Sequence, residues 1–505
     1  MSADRADPCE PLAGGGALAR ALAARLGATL IETHISWVLL AGEHAFKLKK
    51  PLRLPFVDYG TLAARRHCCE QELRLNRRLA PSLYLDVVAI TGPCEAPVIG
   101  GEGPAIEYAV RMRRFPEGAL FSERLAAQRL GEAEIDACAA LLAHFHRLAP
   151  VAHADSGFAS AAHRAALAWA ALEGAAPLAS AEEVGWLARW LRGQAQRLAP
   201  HWAERLAGGH VRECHGDLHL ANLIVVAGEV SAFDGIEFDP ALRWIDVIDD
   251  IAFPVMDLHA QGRGDLAFRL LNAWLDASGE HAGLPGLRHA LVYRALVRAQ
   301  VERLRGRNGP ARRYLDAALR WARHAPPWLA LMHGLPGSGK SVVSQQVLQA
   351  QGAIRLRSDV ERKRLFGLQA TEDSRASGLD IYGREATRRT YDRLFALAGT
   401  ALGAGWPVIL DAAFLRRHER EAAAALARQA HAPWRIVHCE AAPEVLRARL
   451  RARRGDASEA DEGTLRVLQA AQEPLTPQEW LRTEVVPLAM GLGAAAPGAP
   501  VASAT

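Results

Sequence analysis

The sequence predicts a multidomain protein that joins an α+β region to an α/β region, and three observations predict it. At 505 residues the chain is long enough for about two to four domains. The last third carries Gly334-Leu-Pro-Gly-Ser-Gly-Lys340-Ser341 between a short apolar run and a stretch compatible with a helix. The first two thirds place short extended segments before long Ala- and Arg-rich helices, with His215-Gly-Asp217-Leu-His-Leu-Ala-Asn222 set late among them.

Composition narrows the field. Half of the residues are apolar, as in a globular protein, and a net charge of +4 gives no warrant for nucleic-acid or membrane binding. The seven cysteines, at 9, 68, 69, 94, 138, 214 and 439, form an odd set without a C-x-x-C pair, which argues against a disulfide framework or a zinc site and for reduced thiols. Asp4, Arg5, Asp7 and Glu10 precede any apolar stretch and no run approaches the length of a membrane span, so a soluble cytoplasmic protein is expected.

In the last third, Trp328 to His333 reads as a buried parallel strand and Val342 to Gln349 as a helix, the setting that G-x4-G-K-S needs. Gly334, Gly337 and Gly339, with Ser338 in the same loop, let backbone N–H groups turn inward around a β-phosphate at a helix N-terminus. Lys340 then reaches the β/γ-phosphates and Ser341 ligates Mg2+. The next strand, Ala353 to Leu356, ends at Arg357-Ser358-Asp359 and is expected beside the P-loop strand, with Arg362 one turn further on. Trp406 to Leu410 delivers Asp411, a Walker-B-like candidate for Mg2+. Ile436 to Cys439 is a further strand. The helix Pro443 to Arg454 carries five arginines, among them Arg451, a candidate for closing on phosphate.

This segment, about 328 to 485, resembles the small P-loop kinases of the polynucleotide kinase, gluconate kinase and zeta-toxin type. The resemblance implies that Asp359 binds and deprotonates an acceptor hydroxyl, and it keeps a polynucleotide 5′-end among the acceptors.

In the first region, His44 to Lys49 alternates so that Phe46 and Leu48 face one way and Lys47 and Lys49 the other. A helix over Thr61 to Leu79 contains Glu70 and Glu72. After a hinge at Arg114-Phe-Pro116-Glu-Gly118 come helices over Glu132 to Arg147, Ala161 to Leu172 and Ala181 to Leu198. Asp217 and Asn222 have the D-x4-N spacing of a kinase catalytic loop, and Asp234 follows two short strands, where a metal-binding carboxylate belongs. One carboxylate must accept a proton from the attacking hydroxyl while an amide and a second carboxylate hold Mg2+ on the triphosphate.

Residues 28 to 325 resemble the aminoglycoside phosphotransferase and choline kinase superfamily, a bilobal protein-kinase-like fold. That resemblance implies Asp217 as catalytic base, Asn222 and Asp234 as metal ligands, and Lys47 as the phosphate lysine with Glu72 as its partner. Lys49 and Glu70 remain alternatives, since no G-x-G-x-x-G fixes the small lobe. It also implies that Asp246 and Asp250 support the loop. Of 60 basic residues only Lys47, Lys49, Lys50, Lys340 and Lys363 are lysine, which marks sites that need a compact ammonium; Lys363 is expected to tolerate arginine.

The order of domains resembles a bacterial family that fuses an aminoglycoside-phosphotransferase-like domain to a P-loop ATP-binding domain. The expected layout is 1-325 (small lobe about 28-114, large lobe about 115-325), 326-490 beyond Pro326-Pro327, and a disordered tail 491-505. The expected function is an ATP- and Mg2+-dependent phosphotransferase with two sites, acting on small-molecule hydroxyls. The rival expectation is a regulatory protein whose P-loop domain is an ATPase switch and whose kinase-like first domain is non-catalytic and only binds a ligand.

Overall fold

Two strands, Ser36–Ala41 and His44–Lys49, organise the first unit because their alternating residues feed two different cores. Trp37, Leu39, Phe46 and Leu48 pack with Ala19, Leu22 and Ala23 of the helix Ala17–Leu26. Ala45 points the other way, into a cluster with Cys69, Val110, Met112 and Ile224, and Lys47 and Lys49 share its face. The computed structural model describes residues 16–54, 57–374, 378–452 and 457–487. Contacts divide the chain into two units, Met1–His324 and Ala325–Thr505.

The first unit's sheet is antiparallel, in the order Thr29–Glu32, Ser36–Ala41, His44–Lys49, Ala105–Arg113, Tyr84–Thr91, Val98–Ile99. Across Ala105–Arg113 lies the helix Leu62–Asn76, whose N-cap Thr61 accepts from the Ala64 amide. The rest of the unit is mainly helical, with Val247–Ala260 packed between Gly264–Ser278 and Leu284–Leu304, and its described residues also hold three short two-stranded ladders, one of them Leu223–Val226 with Glu229–Ala232 just before Asp234. The helix expected to stop at Leu198 runs on as Ala181–Ala207, through Pro200. An interior proline costs about 3 kcal/mol. Continuing buries Trp202 and Arg205, and the indole alone offsets a cost of that size.

The second unit is α/β. Five parallel strands run in the order Ile354–Arg357, Val408–Asp411, Leu329–His333, Trp434–Glu440, Thr483–Pro487, flanked by helices that include Lys340–Gln351 and Arg384–Gly403. Leu329–His333 is buried at every position, as a central parallel strand must be. The expectation that the strand before Asp359 lies beside the P-loop strand is corrected: Val408–Asp411 separates them. Successive parallel strands need a crossover connection, and a crossover can skip a place that a later strand fills.

Among the described residues no helix is long and apolar enough to cross a membrane. Cys68, Cys69, Cys138, Cys214 and Cys439 are buried free thiols, whereas Cys94 is disulfide-bonded, against the expectation of thiols throughout. The tail 491–505 and the arginines at 453 and 454 lie outside the described residues.

Lys363, expected to tolerate arginine, is 1% exposed, ion-paired with Glu459 at 2.9 Å and bonded to the Ala370 carbonyl at 3.1 Å. Removing one partner of such a pair strands the other. Lys363→Ala should therefore lower stability by about 2–4 kcal/mol, read as a shift of the urea midpoint. Lys363→Arg should also destabilise, because a guanidinium does not fit a cavity shaped for an ammonium.

Candidate functional site

In the first unit one glutamate collects both lysines of the strand His44–Lys49. Glu72, fully buried on Leu62–Asn76, accepts from Lys47 through Oε1 at 2.8 Å and from Lys49 through Oε2. Lys47 also pairs with Asp234, and Lys49 with Glu237. Burial opposes the Lys47 charge, but Asp234 and Glu72 outweigh it and hold the ammonium well above its ordinary range. Burial likewise pushes Asp234 up, and Lys47 overcomes it, leaving the carboxyl at about 2. The lysine alternatives thus separate by partner: both grip Glu72, and Lys47 is the one that reaches Asp234. Glu70 is exposed and pairs with Arg66 one turn away.

The loop around Asp217 is held by named bonds. His215 Nε2 lies 3.0 Å from the Phe233 carbonyl, which only accepts, so Nε2 carries the proton and Nδ1 accepts from the Asp217 amide at 3.2 Å. Burial lowers the His215 pKa, consistent with a neutral ring. Asp250 accepts from the His215 and Gly216 amides and from His146, so its expected support of the loop is direct. Asp246 contributes instead through a buried pair with Arg205, and it caps Val247–Ala260. Asn222 donates its amide hydrogens to the Asp217 carbonyl (2.9 Å) and carboxylate (3.3 Å), which leaves the amide oxygen for another partner.

Asp234 stands at a φ of 63°, a left-handed backbone uncommon outside glycine. Its amide donates to the Tyr84 hydroxyl at 3.0 Å, and the next amide, of Gly235, donates to Asn76 Oδ1 at 2.8 Å. Asn76 lies one turn beyond Glu72 and donates to its carbonyl, so a single helix positions both the lysine anchor and the Asp234 turn.

The sequence reading missed Glu237. This buried carboxylate also accepts from the Tyr59 hydroxyl and forms the far end of the Lys49 bridge. The available signal was Lys49: a second ammonium on the same strand face needs a second carboxylate.

In the second unit the loop after Leu329–His333 is built for close approach. A Cβ on Gly334, at φ 140°, would come within 2.3 Å of the Cys439 carbonyl oxygen, and one on Gly337, at φ 83°, within 2.9 Å of that of Leu446. Gly339 precedes the helix Lys340–Gln351 as its N-cap, and Lys340 Nζ donates to the Gly334 and Leu335 carbonyls at 2.8 and 3.0 Å. Ser338 is buried with no protein partner for its hydroxyl, so the loop keeps an uncommitted donor. Asp411, 5% exposed, accepts from Ser344 Oγ at 2.9 Å, and that hydroxyl is 3.1 Å from the Ser341 carbonyl, which ties the strand end to the start of the helix.

The arginines of the second unit differ in their partners. Arg451 is exposed and paired with Glu462, because its side of Pro443–Ala452 faces solvent. Among the described residues Arg449 is the one that reaches the loop from this helix, donating to the Gly337 carbonyl at 3.2 Å. Arg362 spends its guanidinium on the Ile381 carbonyl and the Tyr382 ring, so it braces a neighbouring segment. Asp359 sits half-buried in the first turn of Ser358–Leu365, where burial and the Asp359 charge push the Tyr382 phenol up.

Residues 63–234 match the phosphotransferase enzyme family, and residues 329–475 match an AAA domain. Uncharacterized proteins of Mycobacterium tuberculosis and Mycobacterium bovis are each 32% identical to this chain over 461 residues, covering 87% of it and 89% of the relative. The chain belongs to their family. It joins a kinase-like phosphotransferase region to a P-loop kinase-like region, and it is an ATP-binding kinase-type protein. Among solved structures, a kinase from Chloroflexus aurantiacus is 21% identical, covers 32% of this chain and 89% of that one, and has a TM-score of 0.26. The aminoglycoside phosphotransferase APH(4)-Ia is 14% identical, covers 61% and 98%, and has a TM-score of 0.37.

The Asp250 carboxyl is pushed up by burial and brought down to about 2 by His146 and the Gly216 amide, against an ordinary 3.8. A depressed folded-state pKa gives stability that is present above the ordinary value and lost as pH falls through the folded one. Asp250→Asn should cost roughly 2 kcal/mol at pH 7, with the deficit narrowing as pH falls from about 4 toward 2 in denaturation curves.

Proposed function

We propose that the chain is a bifunctional ATP-dependent phosphotransferase with two separate Mg·ATP sites, one in each unit, each delivering the γ-phosphate to the hydroxyl of a small molecule. The observation that carries the reading is the Lys47, Glu72, Asp234 cluster facing a loop with Asp217 and Asn222 bonded together. Its parts match the needs of phosphoryl transfer, which is chiefly positioning and charge stabilisation.

In the first site Glu72 aims Lys47 at the ATP phosphates and Asp217 takes the proton of the acceptor hydroxyl. The free Asn222 oxygen and the partly exposed Asp234 carboxylate are hard oxygen donors that fit Mg2+ and would hold it. When bound, that ion neutralises charge on the triphosphate. Lys47 then exchanges Asp234 for phosphate. In the second site the backbone amides of 334–341 and Lys340 cradle the β- and γ-phosphates, and Ser341 and Asp411 would hold the metal. Asp359 is the base, at the same carboxyl edge of the sheet as the loop. Acceptors are small hydroxylated metabolites for both sites, with a polynucleotide 5′-end retained for the second.

Calorimetry should find two ATP sites per chain, with Lys340→Ala removing one. A single wild-type site that this mutant abolishes would make the first unit a module that binds no nucleotide. Asp359→Asn should lower phosphoryl transfer at the second site by roughly a hundredfold with ATP affinity little changed. If label from γ-phosphate-labelled ATP never reaches an acceptor and Asp359→Asn leaves ATP turnover intact, the P-loop unit is an ATPase switch.

A further inference from the structure

The Asp217 carboxylate is held through one of its two oxygens. Oδ2 accepts from Asn222 Nδ2 at 3.3 Å and lies 3.5 Å from His219 Nε2. Among the described residues no protein donor is bonded to Oδ1, and the side chain is 36% exposed. His219 stands two residues after Asp217 and three before Asn222, yet neither metal binding nor the base itself calls for an imidazole there.

The ring is held at both ends. The His219 amide donates to the Asp217 carbonyl at 2.9 Å, and the His219 carbonyl accepts from the Asn222 amide at 2.8 Å. The next amide, of Leu220, donates to Asp257 Oδ2 at 2.9 Å, which ties the turn to the helix Val247–Ala260. The imidazole meets Phe253 of that helix edge-on, with ring centroids 5.9 Å apart, and its side chain is 12% exposed. Backbone and ring together aim one nitrogen at Asp217.

Which nitrogen carries the proton follows from the surroundings. His219 Nδ1 is buried with no protein partner. A proton there would be a buried donor without an acceptor, and it would leave the Nε2 lone pair facing a carboxylate. A proton on Nε2 leaves only an unfilled acceptor, the commoner and less costly exception. Burial lowers the His219 pKa, with Asp217, Asp257 and Asp234 opposing it and Arg298 adding to it, consistent with a neutral ring. Nε2–H therefore points at Oδ2, at the loose distance that catalytic hydrogen bonds often show before substrate tightens them.

We propose that His219 is a positioning residue of the first site: its Nε2–H, with the Asn222 amide, fixes Oδ2 of Asp217 and leaves Oδ1 as the oxygen that takes the acceptor proton. This rests on the reading of Asp217 as the base. In the transfer the acceptor hydroxyl gives its proton to Oδ1, its oxygen bonds to the γ-phosphorus of ATP as the bond from that phosphorus to the β–γ bridging oxygen breaks, and ADP leaves. Oδ2 accepts from His219 before and after, as a carboxylate oxygen and then as the carbonyl oxygen of the acid, so the imidazole neither gains nor loses a proton. An apolar side chain could fill the same space against Phe253, but it would leave the carboxylate one donor short and freer to rotate away from the in-line geometry.

The test uses full-length protein carrying Lys340→Ala, which silences the P-loop site, with water as the acceptor and phosphate release from γ-phosphate-labelled ATP as the readout. His219→Leu should lower release by about tenfold or more while ATP affinity, read by calorimetry, stays within about twofold. His219→Gln, whose amide can donate to the same oxygen, should recover release to within about threefold of the level with histidine. In protein made with isotope-labelled histidine, the ring-nitrogen resonances of His219, assigned by their loss in His219→Gln, should show the proton on Nε2 and should move on Asp217→Asn. Undiminished release in His219→Leu, a glutamine variant no better than leucine, a proton on Nδ1, or resonances indifferent to Asp217→Asn overturns the proposal. If the Lys340→Ala protein releases no phosphate, or the leucine variant does not fold, the ring resonances decide alone. Release that survives Asp217→Asn would instead overturn the reading of Asp217 as the base.

Discussion

Everything in the first unit's site depends on one buried carboxylate shared by two ammonium groups. Glu72 bonds both lysines in a dry interior, and losing its carboxylate would leave two ammonium groups with only Asp234 and Glu237 to balance them. Its helix is therefore fixed against the strand His44–Lys49. The same helix carries Asn76, which holds Gly235, so the position of Asp234 follows from the position of Glu72. Lys49 extends the constraint through Glu237 to the segment after Asp234. Two lysines in register on one strand face tie the sheet, the helix and the Asp234 turn into a single assembly.

Much of this was legible in the sequence because the chemistry leaves short-range marks. The alternation of Phe46 and Leu48 against Lys47 and Lys49 follows from strand geometry, and the spacing of Asp217 from Asn222 is set by a loop too short to vary. Glu237 was not legible, because a lone acid in a turn-rich stretch looks solvated until the fold buries it. Choosing between Glu70 and Glu72 needed the helix rotation: two residues apart on a helix face different directions, and only one faces the sheet.

The second unit divides in the same way. The phosphate loop is local, so Gly334 and Gly337 could be read from spacing, and the structure supplies the reason: carbonyl oxygens of Cys439 and Leu446 occupy the space a side chain would need. Sheet order is not local. Nothing between 340 and 411 in the sequence says that Val408–Asp411 sits between the strand before Asp359 and the strand before the loop. The roles of Arg449 and Arg451 depend on which face of a ten-residue helix meets the loop, and alternating arginines mark both faces equally.

The rarity of lysine tests how far composition can lead. Arginine is the default cation of this chain, and the lysines sit where an ammonium is held at short range: Lys47 and Lys49 between carboxylates, Lys340 on the carbonyls of its own loop, Lys363 between Glu459 and a carbonyl. Lys50 follows the rule with Glu32 and the Thr33 carbonyl. A compact group with three rotatable donors fits between acceptors that a planar fork would force apart. Scarcity therefore reports the geometry of the acceptors and not the function: Lys363 meets the same condition as Lys47 in a place that serves stability. What separates the two is the second partner. Lys47 faces Asp234, a carboxylate still partly open to solvent and able to exchange partners, whereas the Glu459 that holds Lys363 is committed to Ser374 as well.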